Sequence, residues 1–500
     1  MNNNIKINRI IFLVSALIAF TLLSFTVLGC RSLENDESEF DFFSTDYSIE
    51  GTVRYVDPEN GSDSADGTIG SPFKTLTYAL SCSTGGDAVF LYGGDYGDLR
   101  FGAEYSDTYE NYSVPIEEVF SDWVTVKVID GETANFDSVK LGTWHDEGGW
   151  YSIEFSQLGN SDLRLRLDGL TINNGLSIYG SRYVDVRNCK IMLDDDFTSL
   201  NSDEKAEFMA TSGVGVYNGQ YISIYNNEIT NVGVGVWAMT TNFVLKNNHI
   251  HHNTHDGIQV HGGEYWLVEG NSIHDLDDGV GDDDGASYNM HVDGIQMYMI
   301  NSSEKYAHGS YSFTFRNNII YHAEAMDIMV NANNTGGSYD NFVWENNVFA
   351  PSGGSLIIFG AVFDGMVFRH NTILYTPDDD WTSFLGRTFG DGFDNLSAKQ
   401  YYVQTWAAES KYSNYEFYNN ILTSATSFTQ GKGFVEKNIY LTDGSDKELD
   451  DDAGYETSTI PYNSIESGIQ DVIDAGSSPG SLYSGSLAVN NGVESGPATI

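Results

Sequence analysis

The chain has 500 residues, 24 Lys and Arg against 71 Asp and Glu, and a formal net charge of -47. So acidic a surface repels nucleic acid and anionic membranes, which removes both as direct partners. With 41% hydrophobic and 13% aromatic residues a core can be buried, and 52 Gly against 8 Pro describes a chain that turns often without proline.

The N-terminus is read as a targeting segment. Lys6 and Arg9 precede IIFLVSALIAFTLLSFTVLGC, a basic start followed by an apolar run. Val27-Leu28-Gly29-Cys30 resembles the bacterial lipobox, which implies cleavage before Cys30 and lipidation of that residue. A plain transmembrane anchor is the other reading; both put the rest outside the cytoplasmic membrane. Residues 1–29 are then a lipoprotein signal and 30–52 an acidic tether. The expected location is the outer membrane or cell surface, with membrane contact only through the lipid. Cys82 and Cys189 need not pair, and Cys189, at a repeat position elsewhere held by Asn, reads as a buried free thiol.

Residues 53–95 read as an N-terminal cap and first strand. Ser71-Pro72 predicts a helix start, with Phe73, Leu76, Ala79 and Leu80 on its apolar face. A strand follows from Asp87. The stretch RYVDPENGSDSADGTIGSPFKTLTYALSCSTGGDAVFLYGGDY (54–96) resembles the start of many right-handed parallel β-helix proteins, including family nine of the polysaccharide lyases and related uncharacterised proteins. The resemblance implies the pectate-lyase-like β-helix superfamily.

From 96 to 425 the sequence repeats. VDVRNCKI (184–191), ISIYNNEI (222–229), FVLKNNHI (243–250), WLVEGNSI (266–273), TFRNNII (314–320), VWENNVF (343–349), VFRHNTI (367–373) and EFYNNIL (416–422) each alternate, reach an Asn, then an apolar residue. The shortest spacings, Ile172 to Ile191, Ile229 to Ile250 and Ile250 to Ile273, are 19, 21 and 23 residues. A second register, GVGVY (213–217), VGVW (234–237), DGIQV (256–260), DGIQM (293–297) and MDIMV (326–330), runs between them. Short strands about every ten residues predict an all-β, right-handed parallel β-helix capped by a helix, with an amide ladder at one turn. A propeller needs longer units of antiparallel strands. Residues 426–500 read as irregular coils and tail.

Insertions at 193–212, 275–291 and 376–412 enter on one side of the Gly-Ile strands, and those at 299–312 and 331–341 on the other. They would wall a groove suited to an extended polymer. With the Ile inward, Tyr217, Trp237, Gln259 and Gln296 would point outward, followed by His261, Tyr298 and Asn331, with Asp327 one step back. Rings and amides in that arrangement are candidate substrate contacts. Asp256 and Asp293 hold one register where other coils place Val214, Val234, Met326 or Ser355. Those apolar counterparts admit an inward-leaning turn residue instead. Two carboxylates one coil apart repel unless a proton or a cation lies between them.

A shared proton points to a hydrolase using Asp256, Asp293 and Asp327. Asn253-Thr254-His255-Asp256-Gly257 is similar to the Asn-Thr-Asp-Gly of the polygalacturonase family with one residue inserted, but that family's Gly-His-Gly and Arg-Ile-Lys are missing. A cation points to a Ca2+-assisted lyase, with Asp277, Asp278, Asp282 and Asp284 as further candidate ligands. Candidate bases are His255, His261, His291, Tyr298 and Lys305. The histidines at 249, 251, 252, 255 and 261 are spread around a coil by their spacing, which argues against a zinc site. The reading preferred from sequence is an extracytoplasmic, monomeric, Ca2+-assisted lyase on a uronic-acid polysaccharide. A glycoside hydrolase and a non-catalytic glycan-binding solenoid are the alternatives.

Overall fold

A computed structural model describes residues 40–101, 120–142, 161–278, 291–298, 309–331 and 338–349, with short segments between 352 and 458. Apart from one two-stranded hairpin, its sheets are parallel. Each coil makes three passes. Residues Val234–Lys246, for example, form one long strand that breaks register at Ala238/Thr240 and so covers two sides; His249–His251 covers the third.

The corners explain the Asn content. Asn226, Asn247, Asn317 and Asn346 all have φ between 54° and 58°. Asn tolerates this left-handed turn better than most residues, and Gly270 takes the same corner in its coil. The following Asn builds the expected amide ladder. Asn271 Nδ2 donates to Leu245 O (2.9 Å) and Asn318 Oδ1 (2.9 Å), while its Oδ1 accepts from Asn248 N (2.9 Å) and Nδ2 (3.0 Å). Asn227, Asn318, Asn347, Asn371 and Asn420 continue it. Cys189 ends the ladder: its N–H donates to Asn227 Oδ1, and its buried thiol is free, with the pKa pushed up to about 12 by desolvation.

Inside, Ile172, Ile191, Ile229, Ile250, Ile273 and Ile320 stack in register, all within 1% of full burial. Each contributes on the order of 2 kcal/mol relative to exposure. These side chains dictate the Gly before each Gly-Ile strand. A Cβ on Gly235, Gly257 or Gly294 would lie 2.6, 2.5 or 2.4 Å from the Cγ2 of Ile250, Ile273 or Ile320.

At the N-terminal end, Val53–Val56 pairs with Ala88–Leu91, the first coil strand. The cap helix starts later than the sequence predicts. It spans Leu76–Ser81 with Thr75 as N-cap, because Phe73 exchanges backbone hydrogen bonds with Tyr55 and Asp57 and is held in a bridge. Leu76, Ala79 and Leu80 are buried as expected. Part of the segment read as a tether is docked: Arg187 donates to the carbonyls of Ser44 and Thr45, and Tyr47 donates to Asp168 Oδ2. Parallel pairing also runs past 425, through Phe434–Glu436 and Asn438–Leu441 to Tyr455–Ser458.

Candidate functional site

Ile258 pairs with Val236 and Ile295, and Asp293 pairs with Met326, so Val234, Asp256, Asp293 and Met326 form one column. Trp237, Gln259, Gln296 and Met329 form a second. Ile258, Val260, Ile295 and Met297 belong to the core, so the residues between them face away from it. Val234 and Trp237 pack with Tyr179, Tyr217 and Met239 in an apolar cluster distinct from that core, and Met326 and Met329 pack with Ala325 in another. A Cβ on Gly257 or Gly294 would point at the core Ile273 or Ile320, and Asp256 and Asp293 bond to Gln259 and Gln296, so the four form a polar rectangle between two apolar patches on the outer face. The apolar counterparts of the two Asp residues do not mean an inward lean. Val214 is not among them, since it pairs with Val236 in the core register.

The hydrogen bonds fix both carboxylates. Asp256 Oδ1 accepts from the Asp293 N–H (2.7 Å) and Oδ2 from Gln259 Nε2 (2.7 Å), with His255 Nε2 at 3.8 Å. Asp293 accepts from His291 Nδ1 (3.1 Å) and Gln296 Nε2 (3.2 Å). Both carboxyls are fully buried. Desolvation pushes Asp256 up to about 6, against the pull of His255 and with the push of Asp293. Asp293 is raised by the same burial while His291 opposes it. The accessible ends of these pairs are the imidazoles: the His255 side chain is 15% exposed and that of His291 is 44% exposed.

Asp256 makes a testable contribution to stability. Its folded pKa lies above its ordinary value, so its favourable contribution is complete below pH about 4 and is lost as pH rises through about 6. Asp256→Asn keeps an acceptor for the Asp293 N–H. It is expected to raise stability on the order of 2 kcal/mol at pH 7 and hardly at all at pH 4. Thermal melts at the two pH values check this.

Other expected site residues are placed differently. Tyr217 pairs with Met239, not Trp237. Its ring lies back over Gly215, stacked between Tyr179 (4.7 Å) and Trp237 (4.5 Å), and Trp237 stacks on His261 (4.4 Å). With their faces spent on one another and only 7% exposed, Tyr217 and Trp237 are not open sugar platforms. Gln259 is buried too, and positions Asp256. His261 lies 3.2 Å from Gln259 Oε1 and is buried, which lowers its pKa to about 3 and leaves it a weak base with no exposed surface for a substrate. Asp327 falls in the glycine register, between the pairs Asp293–Met326 and Ile295–Ile328, and accepts from Ser352. It is not part of the rectangle. Tyr298 pairs with Asn331 along the backbone. Lys305, Asp282, Asp284 and Cys30 lie outside the described residues.

Asp277 and Asp278 gain a partner that sequence reasoning missed, Glu324. Ligand oxygens of the three lie within 4.8 Å of one another. The Asp278 N–H donates to Glu324 Oε2 (3.1 Å), and both residues are buried. Glu324 follows its strand as Asp277 follows Ser272–Leu276, one coil apart, but 46 residues separate it from Asp278 in sequence. Clustered carboxylate oxygens with two buried members fit a hard cation such as Ca2+, which would relieve their repulsion.

Three-sided coils, an amide ladder and stacked aliphatics define the class: a right-handed parallel β-helix, here with a paired Asp–Gln–His array on its outer face. Residues 174–373 match the family model described as right handed beta helix region. Residues 59–103, the cap, match one described as a protein of unknown function, DUF1565. No curated protein sequence matches the chain. Similar solved structures include the pectate lyase Pel9A, at 12% identity and TM-score 0.43 over 65% of this chain and 76% of that one. Others are a PL6 family alginate lyase, AlyGC (14%, 0.41, 76% and 52%), and the A-module of the Azotobacter vinelandii mannuronan C-5 epimerase AlgE6 (12%, 0.42, 72% and 92%).

Proposed function

We propose that the protein is an extracytoplasmic, lipid-anchored enzyme that cleaves a uronic-acid polysaccharide by β-elimination, with His291 as general base. The observation that carries this reading is the His291–Asp293 pair: an exposed imidazole held at 3.1 Å by a buried carboxylate. Asp293 binds the Nδ1 side, orients the ring and raises its basicity, so Nε2 takes up the C5 proton. The electron pair moves to form the C4–C5 double bond and expels the glycosidic oxygen. One coil away, about 4.8 Å along the solenoid, His255 stands with its Nε2 3.8 Å from Asp256 and protonates the leaving oxygen. Asp277, Asp278 and Glu324 would hold Ca2+. When bound, it supplies positive charge that offsets the uronate carboxylate and acidifies its neighbouring proton. A net charge of -47 makes some such cation necessary for an anionic substrate to approach.

The paired carboxylates support a second reading, a hydrolase: burial and the neighbouring Asp293 push Asp256 up, the direction a general acid needs. A panel of uronate polymers assayed for unsaturated ends and for reducing ends separates the two. Elimination gives both signals, hydrolysis only reducing ends, and a glycan-binding solenoid neither. Chelation is expected to lower both the elimination rate and Tm, with Ca2+ restoring them. If neither changes, the calcium assignment fails.

A further inference from the structure

Outside this mechanism, His249, His251, His252, His274 and His322 lie on or beside a different sheet. His249–His251 pairs with Ser272–Leu276, which pairs with Ile319–Ala323, so coil stacking brings His274 and His322 beside His249, His251 and His252, while His255 and His261 lie by the Asp–Gln array as their spacing around the coil implies. His251 aligns with His274, and the ring centroids of His249, His251 and His274 form a triangle of 3.9, 4.9 and 5.5 Å. The Nε2 atoms of His249 and His274 are 2.8 Å apart. His274 Nδ1 lies 2.9 Å from Asp275 Oδ2, and the His274 ring stacks on Tyr321 at 4.8 Å. Asp275 also contacts His252 and His322.

We propose that His249, His251 and His274 bind a divalent transition-metal cation, zinc in the first instance, linking two adjacent coils. Three imidazoles on one tetrahedral ion have ring centroids about 5 Å apart, at metal–nitrogen distances of about 2.0–2.1 Å; the 4.9 and 5.5 Å edges meet this, and the 3.9 Å His249–His251 edge opens as the His251 ring turns away from His252, whose Nδ1 lies 2.6 Å from its own. The Asp275 contact fixes the tautomer that a ligand needs: with Nδ1–H directed to the carboxylate, Nε2 carries the lone pair. The 2.8 Å Nε2–Nε2 contact is a hydrogen-bond distance. Replacing its proton by a metal opens it to about 3.3 Å, a small rotation for the exposed His249 ring. Glu228, 3.5 Å from His251 Nε2 and shared with Lys190, offers a carboxylate as fourth ligand. The facing charges are therefore Glu228 and Asp275 against Lys190, with His252 and His322 alongside, a net attraction for a cation. Metal displaces protons from the rings, so affinity falls as pH drops through the imidazole range.

The test is calorimetric titration of chelator-stripped, full-length protein with Zn2+, and with Co2+ as an optical probe. The expected result is one ion per chain and the strong visible bands of tetrahedral Co2+. His249→Gln and His274→Ala should abolish both signals, and Asp275→Asn should weaken binding roughly 10- to 100-fold. The double variant His255→Ala/His291→Ala should leave affinity unchanged. His249→Gln alters an exposed ring, so it tests the proposal even if His274→Ala fails to fold. Absence of binding, or binding that survives His249→Gln, overturns the proposal; so does binding lost with His255 and His291.

Discussion

Alanine at His291 is expected to lower kcat/KM for the proposed elimination by roughly 10²- to 10⁴-fold, the range for loss of a positioned general base. Tm should barely change, because the ring is 44% exposed and Asp293 keeps the Gln296 amide. Asp293→Asn should lower kcat as well, by leaving the imidazole misoriented and less basic. Combining the two should cost little more than either alone, since the pair acts as a unit. Steady-state kinetics with a matched thermal melt checks all three variants. A large Tm loss in His291→Ala would mean that the ring is structural.

Asn271→Ala has the opposite signature, expected to cost roughly 3–5 kcal/mol of stability. Its amide serves both neighbouring coils: Leu245 O and Asn318 Oδ1 lose a donor, and the Asn248 N–H and Nδ2 lose an acceptor. All three Asn side chains are at most 1% exposed, so water cannot replace the lost partners without opening the coil. The corner column is a useful contrast. Gly270 already stands where other coils use Asn, because there only the left-handed φ matters. Chemical denaturation measures the difference, and an Asn271→Ala protein as stable as the parent would show that the ladder is incidental.

Much of this was legible because a solenoid repeats its demands. Every coil needs an aliphatic inward, an Asn at the corner and room beneath the crossing strand, so Asn-x-Ile and Gly-Ile recur visibly. Asp256 and Asp293 stood out by breaking that pattern, and the structure gives them a shared column and parallel hydrogen bonds. What was not legible depends on neighbours in other coils. Tyr217 was misassigned by two residues because Gly215 lets its ring fall back against Trp237. Glu324 was missed because an insertion separates it from Asp278 by 46 residues, though one coil separates them in space. His274 and His322 join His249, His251 and His252 only through the lateral register, which sequence spacing does not show, while His255 and His261 lie apart by the Asp–Gln array. The helix start failed for a local reason: backbone pairing of Phe73 outweighed the Ser-Pro signal.

Chemical rescue tests the central claim most directly. Formation of unsaturated ends, followed at about 235 nm for products of base-catalysed elimination, is measured for wild type and His291→Ala with and without added imidazole. The account predicts a wild-type signal on a uronate polymer, its loss in the variant, and partial recovery with imidazole. Reducing ends released by wild type without that absorbance, or a variant as active as wild type, would contradict it.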